Sequence, residues 1–367
     1  RGGQKEAAER TYLEGLEMAN LSYHEQETIE NTKKLRKLIG ELPPFCADFF
    51  RGIEPRTSSR TRIAYAYDLS IFFDFLCQTN PLWKDRDKRD FTVDVLDQIG
   101  VMDLEEYLEF LKCHSTENKE DLVNTERGLT RKMSSLKSFY NYFFRNERIK
   151  TNPAALVKLP KLHEKEIIRL EIDEVARLLD LVEDGQELTE RQKAYHEKTK
   201  IRDLALMTLL LGTGIRVSEC IGLNLNDVDF NVDGIRIHRK GGKEVIIYFG
   251  DEVEQALRAY LEERKKMIPA PGNEEALFLS MQKKRMNVRS VENLVKKYSR
   301  IVTPLKKITP HKLRSTYGTN LYRETGDIYL VADVLGHADV NTTKKHYAAL
   351  EDERRRSARN KVKLREN

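Results

Sequence analysis

Ile235-Arg236-Ile237-His238-Arg239-Lys240-Gly241-Gly242-Lys243-Glu244-Val245-Ile246-Ile247-Tyr248-Phe249 is where the apolar period of this chain changes from that of a helix to that of a strand. Ile235 and Ile237 on one side of Lys240-Gly241-Gly242-Lys243, and Val245, Ile247 and Phe249 on the other, alternate with other residues. Alternation places each set on one face of a pleated strand, and the paired glycines suit a tight reversal, so the stretch reads as an antiparallel hairpin. On either side the period returns to three or four residues. Upstream, helices are expected at 171–182 and 199–211, separated by a polar insert, 183–198, that reads as a surface loop or a helix extension. Downstream they are expected at 251–266, 288–300, 311–325 and 328–335, before a charged tail. The fold class that follows is mainly α with a small antiparallel β-sheet (α+β).

The N-terminal half is helical throughout. Residues 4–41 are dense in Glu, Lys and Leu and lack proline, which fits one or two surface helices ending at Pro43-Pro44. Ser58-Ser59 can cap a helix in which Ile63, Tyr67, Ile71 and Phe75 recur every four residues along one face. A helix is expected at 103–112 on Leu104, Tyr107, Leu108 and Leu111. Another is expected at 125–146, where Leu129, Met133, Leu136, Tyr140 and Phe143 form an apolar stripe opposite Arg127, Arg131, Lys132 and Lys137. Thr151-Asn152-Pro153 and Leu159-Pro160 then bracket a break that leads into the polar run from Lys161 to Glu166. Proline disfavours helix in its predecessor, which puts a domain boundary near residue 163. A chain of 367 residues exceeds one ordinary core. The expected division is an N-terminal helical extension (1–42), a helical domain (43–162) and a second domain with a C-terminal tail (163–367).

Composition excludes more than it selects. With 64 basic and 59 acidic residues the net charge is +5, too mild to name a partner. The longest apolar runs, such as Leu209-Leu210-Leu211, fall far short of the roughly 20 residues a bilayer span needs. Cys46, Cys77, Cys113 and Cys220 lie far apart without CxxC spacing and without a secretory leader before them, so a reducing, cytoplasmic setting is expected. The eight histidines form no HExxH pattern and pair with no cysteine at a zinc spacing, so no metal site is expected. Charge distribution is more informative. From Met281 to Arg323 there are twelve Lys or Arg and one acid, Glu292. Such a patch suits a polyanion, with Lys283, Lys284, Arg285, Arg289 and Lys312 as candidate contacts; standing alone, it also fits a solvated basic face.

The patch contains Thr309-Pro310-His311-Lys312-Leu313-Arg314. Proline sets a first helical turn, and His311 and Arg314, three residues apart, share one face near the positive end, where a phosphate is well held. In Gly212-Thr213-Gly214-Ile215-Arg216-Val217-Ser218-Glu219, glycines close one helix and another opens, so Arg216 sits at a loop-to-helix junction and Glu219 can orient its guanidinium. Downstream come Leu335-Gly336-His337, Asn341-Thr342-Thr343 and His346-Tyr347. Each has a plain alternative: Tyr347 as a packing residue, Arg216 as a helix-start ion pair with Glu219, Lys240 as an ordinary turn lysine, and His337 as a cap after Gly336.

Taken in order, these motifs, with a hairpin lysine between the two arginines and a tyrosine ten residues after His337, resemble the catalytic domain of the tyrosine recombinases, the family of phage and conjugative-transposon integrases and Xer recombinases. The resemblance covers roughly residues 165–350. Residues 55–160 are more weakly similar to that family's core-binding domain, and residues 1–41 match nothing in it. The resemblance implies a helical core-binding domain and a catalytic domain that clamp DNA between them, with Arg127, Arg131, Lys132 and Lys137 on the helical side. It implies that Arg216 and Arg314 hold the scissile phosphate, Tyr347 is the nucleophile, His311 is base-like and His337 donates to the phosphate. Lys240, with Lys243 as the alternative, would be the general acid. It further implies a covalent 3′-phosphotyrosyl intermediate, a Holliday junction and a tetramer on double-stranded DNA at a specific recombination site. A tail that docks in trans and an accessory directionality factor would complete the assembly, with no cofactor, no metal and no membrane. Two rivals stay open: a relaxing type IB topoisomerase, and a catalytically silent DNA-binding helical protein.

Overall fold

The computed structural model describes residues 23–84, 86–115, 121–160, 168–239 and 243–337. By their contacts the described residues divide into two units, one within 23–160 and the other within 168–337. The expected class holds: helices dominate, and the strands pair antiparallel in small sheets. Among the described residues no helix is long and apolar enough to cross a membrane.

The first unit contains α1 (Tyr23–Gly40), α2 (Cys46–Ile53), α3 (Ser59–Thr79), α4 (Val101–Lys112), a two-stranded pair β1 (Cys113–Ser115) and β2 (Asp121–Val123), α5 (Glu126–Arg145) and α6 (Pro153–Leu156). Helix α3 starts where Ser58 Oγ accepts the Thr61 amide at 3.2 Å, satisfying one of the donors a helix start leaves open. Helices α1 and α5 pack on α3. The core between them is aromatic. Phe49, Phe73, Phe139 and Phe143 are wholly buried, and Phe139 meets Phe49 at 5.1 Å and Phe143 at 5.0 Å between ring centroids, both edge-on, the arrangement ring quadrupoles favour.

One expectation fails here. Ile63, Tyr67, Ile71 and Phe75 do not share one buried face, because each four-residue step overshoots a full turn by about 40° and the row winds around the helix. Tyr67 comes out 44% exposed, with Lys34 Nζ 5.5 Å from its ring centroid. The stripe on α5 stays buried, because its steps of three and four average to the helical period.

The second unit contains α7 (Ile172–Asp184), α8 (Glu190–His196), α9 (Lys200–Thr213), α10 (Val217–Gly222), β3 (Val228–Asp229), β4 (Gly234–His238), β5 (Glu244–Tyr248), α11 (Asp251–Lys265), α12 (Val288–Val302), α13 (Pro310–Thr325) and α14 (Ile328–Leu335). Helix α9 is central, contacting α7, α11 and α13. Ala205, Leu206, Met207 and Leu209 are all wholly buried, as befits a helix apolar on every side. The sheet runs β3-β4-β5, with Ile235 opposite Ile247 and Ile237 opposite Val245. The hairpin read from the sequence is therefore present.

The insert at 183–198 is neither an open loop nor an extension of α7. Gly185, with φ +67°, ends α7, and Thr189 with Gln192 forms a reciprocal cap that starts α8 as a helix of its own. Its last residue, His196, is buried and lies 3.1 Å by its Nδ1 from the Tyr298 hydroxyl. That hydroxyl donates to Asp203 Oδ2 at 3.1 Å, and Asp203 also accepts from Thr199 Oγ1 at 2.9 Å and Arg202 Nη2 at 2.6 Å. A polar network thus ties α8, α9 and α12 together inside the unit, with each carboxylate oxygen satisfied, which is the condition for burying it.

Candidate active site

The site is built around the C-terminal end of α14. Gly336 takes φ +62°, a left-handed conformation glycine adopts without strain. Its amide returns to Asp333 O at 2.8 Å, and the His337 amide returns to Ala332 O at 2.9 Å. This double closure is the Schellman motif, and it fixes where His337 begins. A helix end still presents carbonyl oxygens and a partial negative charge.

Guanidinium groups cover those carbonyls. Arg239 donates from Nη1 to Asp333 O at 3.1 Å and from Nη2 to Val334 O at 2.6 Å. Arg314 donates from Nη2 to Leu335 O, and from Nη1 to Gly214 O at 2.6 Å. Arg216 donates from Nη2 to Gly336 O at 3.2 Å. Four consecutive carbonyls, Asp333 to Gly336, therefore each accept from one of three arginines that come from different parts of the chain.

Local sequence explains how each arginine arrives. Gly214, with φ +63°, caps α9 and turns its own carbonyl to Arg314. Arg216 then occupies the N-cap of α10, where Glu219 accepts its backbone amide at 2.7 Å and its Nη1 at 2.8 Å. Glu219 is buried while the Arg216 side chain is 40% exposed, so the carboxylate holds the guanidinium from beneath. Arg314, 5% exposed, lies on α13 one turn after Pro310, which starts that helix. Cys220, next to Glu219, is buried and its thiol is pushed well above the usual range, by burial first and the carboxylate second.

The sequence-derived set is brought together in part. Arg216, Glu219, Arg314 and His337 meet at the end of α14, and His311 lies on α13 three residues before Arg314, on the same face. Lys243 sits at the foot of the hairpin, where its carbonyl accepts the Arg239 amide at 2.8 Å. Lys240 and Tyr347 lie outside the described residues, as does the tail 348–367. Arg239 was not among the residues singled out from the sequence. A carbonyl contact across about ninety positions leaves no local signal.

The candidate DNA contacts divide by what their side chains touch. Arg131 grips Asp68, which is buried, through Nη1 at 2.6 Å and Nη2 at 2.8 Å; Asp68 is raised by burial even against that pull. Lys132 donates to Asn124 Oδ1 at 3.0 Å and Lys137 to Val157 O at 2.9 Å, whereas Arg127 is exposed. In the basic stretch, Arg285 ties down Ile221 O at 2.9 Å and Leu223 O at 2.8 Å, and Arg289 pairs with Glu292 at 3.2 Å. Lys283 and Lys284 are exposed and Lys312 is half-buried.

Comparison with known proteins places the chain in a family. The model of the phage integrase family matches residues 169–354. Tyrosine recombinase XerC of Caldanaerobacter subterraneus subsp. tengcongensis is 34% identical over 336 residues, covering 88% of each chain. Tyrosine recombinase XerD of Oceanobacillus iheyensis is 30% identical over 300 residues, covering 81% of this chain and 91% of the relative. In structure, the chain is similar to the XerH site-specific recombinase bound to palindromic difH substrate, with TM-score 0.63 at 19% identity over 82% of this chain and 80% of that one. The chain belongs to the phage integrase family and is a tyrosine-type site-specific recombinase.

Proposed function

We propose that this chain cuts and rejoins double-stranded DNA at a specific recombination site through a covalent 3′-phosphotyrosyl bond at Tyr347. The observation that carries the reading is that Arg216 and Arg314 are seated on neighbouring carbonyls, Gly336 O and Leu335 O, of the helix end that also places His337. Two planar forks held this way suit a phosphate and the extra negative charge it gains in a five-coordinate transition state. In the reaction the Tyr347 phenol oxygen attacks phosphorus, its proton passing to His311, and the bond from phosphorus to the 5′ oxygen breaks. That oxygen takes a proton from Lys240, or from Lys243 in its place. Rejoining reverses the order: a 5′ hydroxyl attacks the phosphotyrosine and the phenol leaves. His337 donates to a phosphate oxygen.

Strand exchange then requires four protomers on two sites and passes through a Holliday junction, with the tail after Tyr347 docking on a neighbouring protomer and an accessory factor setting direction. Lys283, Lys284, Arg289 and Lys312 on the catalytic side, and Arg127 on the helical side, are the cations proposed to meet the DNA backbone.

The test is trapping on a nicked suicide substrate that loses its 5′ fragment after cleavage. A covalent protein–DNA adduct is expected, with Tyr347→Phe abolishing it while retaining a defined footprint. No adduct from either protein would make the chain a binder; an adduct without a defined footprint would make it a relaxing topoisomerase.

A further inference from the structure

We propose that Arg239 is a positioning residue that holds the hairpin lysine, Lys240, in register with the two phosphate-holding arginines; this rests on the function proposed above. A general acid at a hairpin tip must lie within hydrogen-bond reach of the atom it protonates. Residue 239 is the last of the described residues before that tip. Its amide closes the hairpin on Lys243 O at 2.8 Å, and its side chain leaves the sheet for the end of α14, donating to Asp333 O and Val334 O. The next two carbonyls of that end seat Arg314 and Arg216. One turn of helix therefore sets the foot of the hairpin and both arginines against a single reference.

Two further observations argue that the place is built for this side chain. A Cβ added to Gly336 would come 2.4 Å from Arg239 Nη1 and 2.5 Å from its Cζ, so the left-handed glycine that closes α14 also makes room for the guanidinium. Arg239 Nε is buried and has no hydrogen-bond partner among the described residues. Leaving a buried donor unmade is unfavourable, and a lysine or methionine at this position would avoid it. The fork is kept with that donor unmet, and what the fork provides is a fixed plane gripping two successive carbonyls, which a single ammonium cannot reproduce.

The alternative is that Arg239 merely caps a helix. Leaving-group chemistry separates the two roles. A substrate whose bridging 5′ oxygen is replaced by sulfur departs as a thiolate, whose conjugate acid has a pKa near that of a thiol, about 8.5, and needs no general acid. With the ordinary oxygen substrate, Arg239→Ala is expected to slow single-turnover cleavage about tenfold to a hundredfold, and the sulfur substrate is expected to restore a rate close to that of the unaltered protein. Arg239→Lys, which keeps a charge on the carbonyls but not the fork, is expected to show the same oxygen-to-sulfur split to a smaller degree, and serves if the alanine variant does not fold. Equal slowing on both substrates, or no slowing on oxygen, overturns the proposal. Lys240→Ala and Lys243→Ala run alongside: if one is rescued by sulfur while Arg239→Ala is not, the positioning role fails and the assigned chemistry stands. If neither lysine variant is rescued, the general-acid assignment itself is what fails.

Discussion

Gly214 shows how narrowly single residues determine this site. Its φ of +63° is one that L side chains rarely adopt, and an added Cβ would lie 2.3 Å from Cδ1 of Tyr317 and 3.0 Å from Cδ2 of Leu335. Its carbonyl is also one of the two seats of Arg314. Gly214→Ala is therefore expected to lower stability by roughly 1–3 kcal/mol and to reduce suicide-substrate cleavage more than the stability loss accounts for. Denaturant unfolding and single-turnover cleavage on the same preparation check this, and intact cleavage would mean that Arg314 needs no carbonyl beneath it. At this scale the sequence was readable where residue type and conformation coincide. Gly214, Gly336 and Pro310 announce a helix end, a helix end and a helix start, and Arg216 with Glu219 announces an N-cap pair. Arg239 was silent, because an arginine in a turn is ordinary until the distant carbonyls it reaches are known.

Among the elements, the long periodic helices and the β4–β5 hairpin were legible because their signals are local: a run of apolar side chains at one period, ended by glycine or proline. The short helix α8 and the pair β1–β2 were not. Helix α8 depends on a partner elsewhere, through the network joining His196 to Tyr298 and Asp203. That network has a pH signature. The Tyr298 hydroxyl gives its one proton to Asp203, so it accepts from His196 Nδ1; Nε2, buried against Gly185, has no partner among the described residues, and a second proton there would be a buried donor without an acceptor. Burial first, and Lys297 second, hold His196 below its usual 6.5. A histidine whose folded value is lowered is protonated first in the unfolded chain. Its contribution is therefore present above 6.5 and is lost as the pH falls from there through the folded value. Between about pH 7.5 and about pH 5.5, the unaltered protein should lose more unfolding free energy than His196→Gln, measured by urea titration at each pH; parallel losses would mean that the imidazole stays neutral for no energetic reason.

For the whole molecule, the sequence located a basic region correctly as composition but not as surface. Folding turns part of it inward: Arg285 clamps the loop after α10, Lys306 pairs with Glu174 and Arg323 with Glu171. Lys283, Lys284, Lys296, Arg300 and Lys307 stay exposed. DNA affinity should divide accordingly. Replacing both Lys283 and Lys284 by Ala is expected to flatten the slope of log affinity against log salt by about 2 and to leave the melting temperature in place. Arg285→Ala is expected instead to lower the melting temperature by several degrees. A salt slope altered only by Arg285→Ala would reverse the assignment. The seat at Asp333–Gly336 also bears on the order of synthesis. The arginines it receives lie 120, about 95 and 21 positions earlier in the chain, so each leaves the ribosome before the turn on which it will rest. Such long-range closures are late events in folding. A nascent or interrupted chain thus carries its cations unassembled, and the proposed power to break a DNA strand has to wait until α14 has been made and has docked.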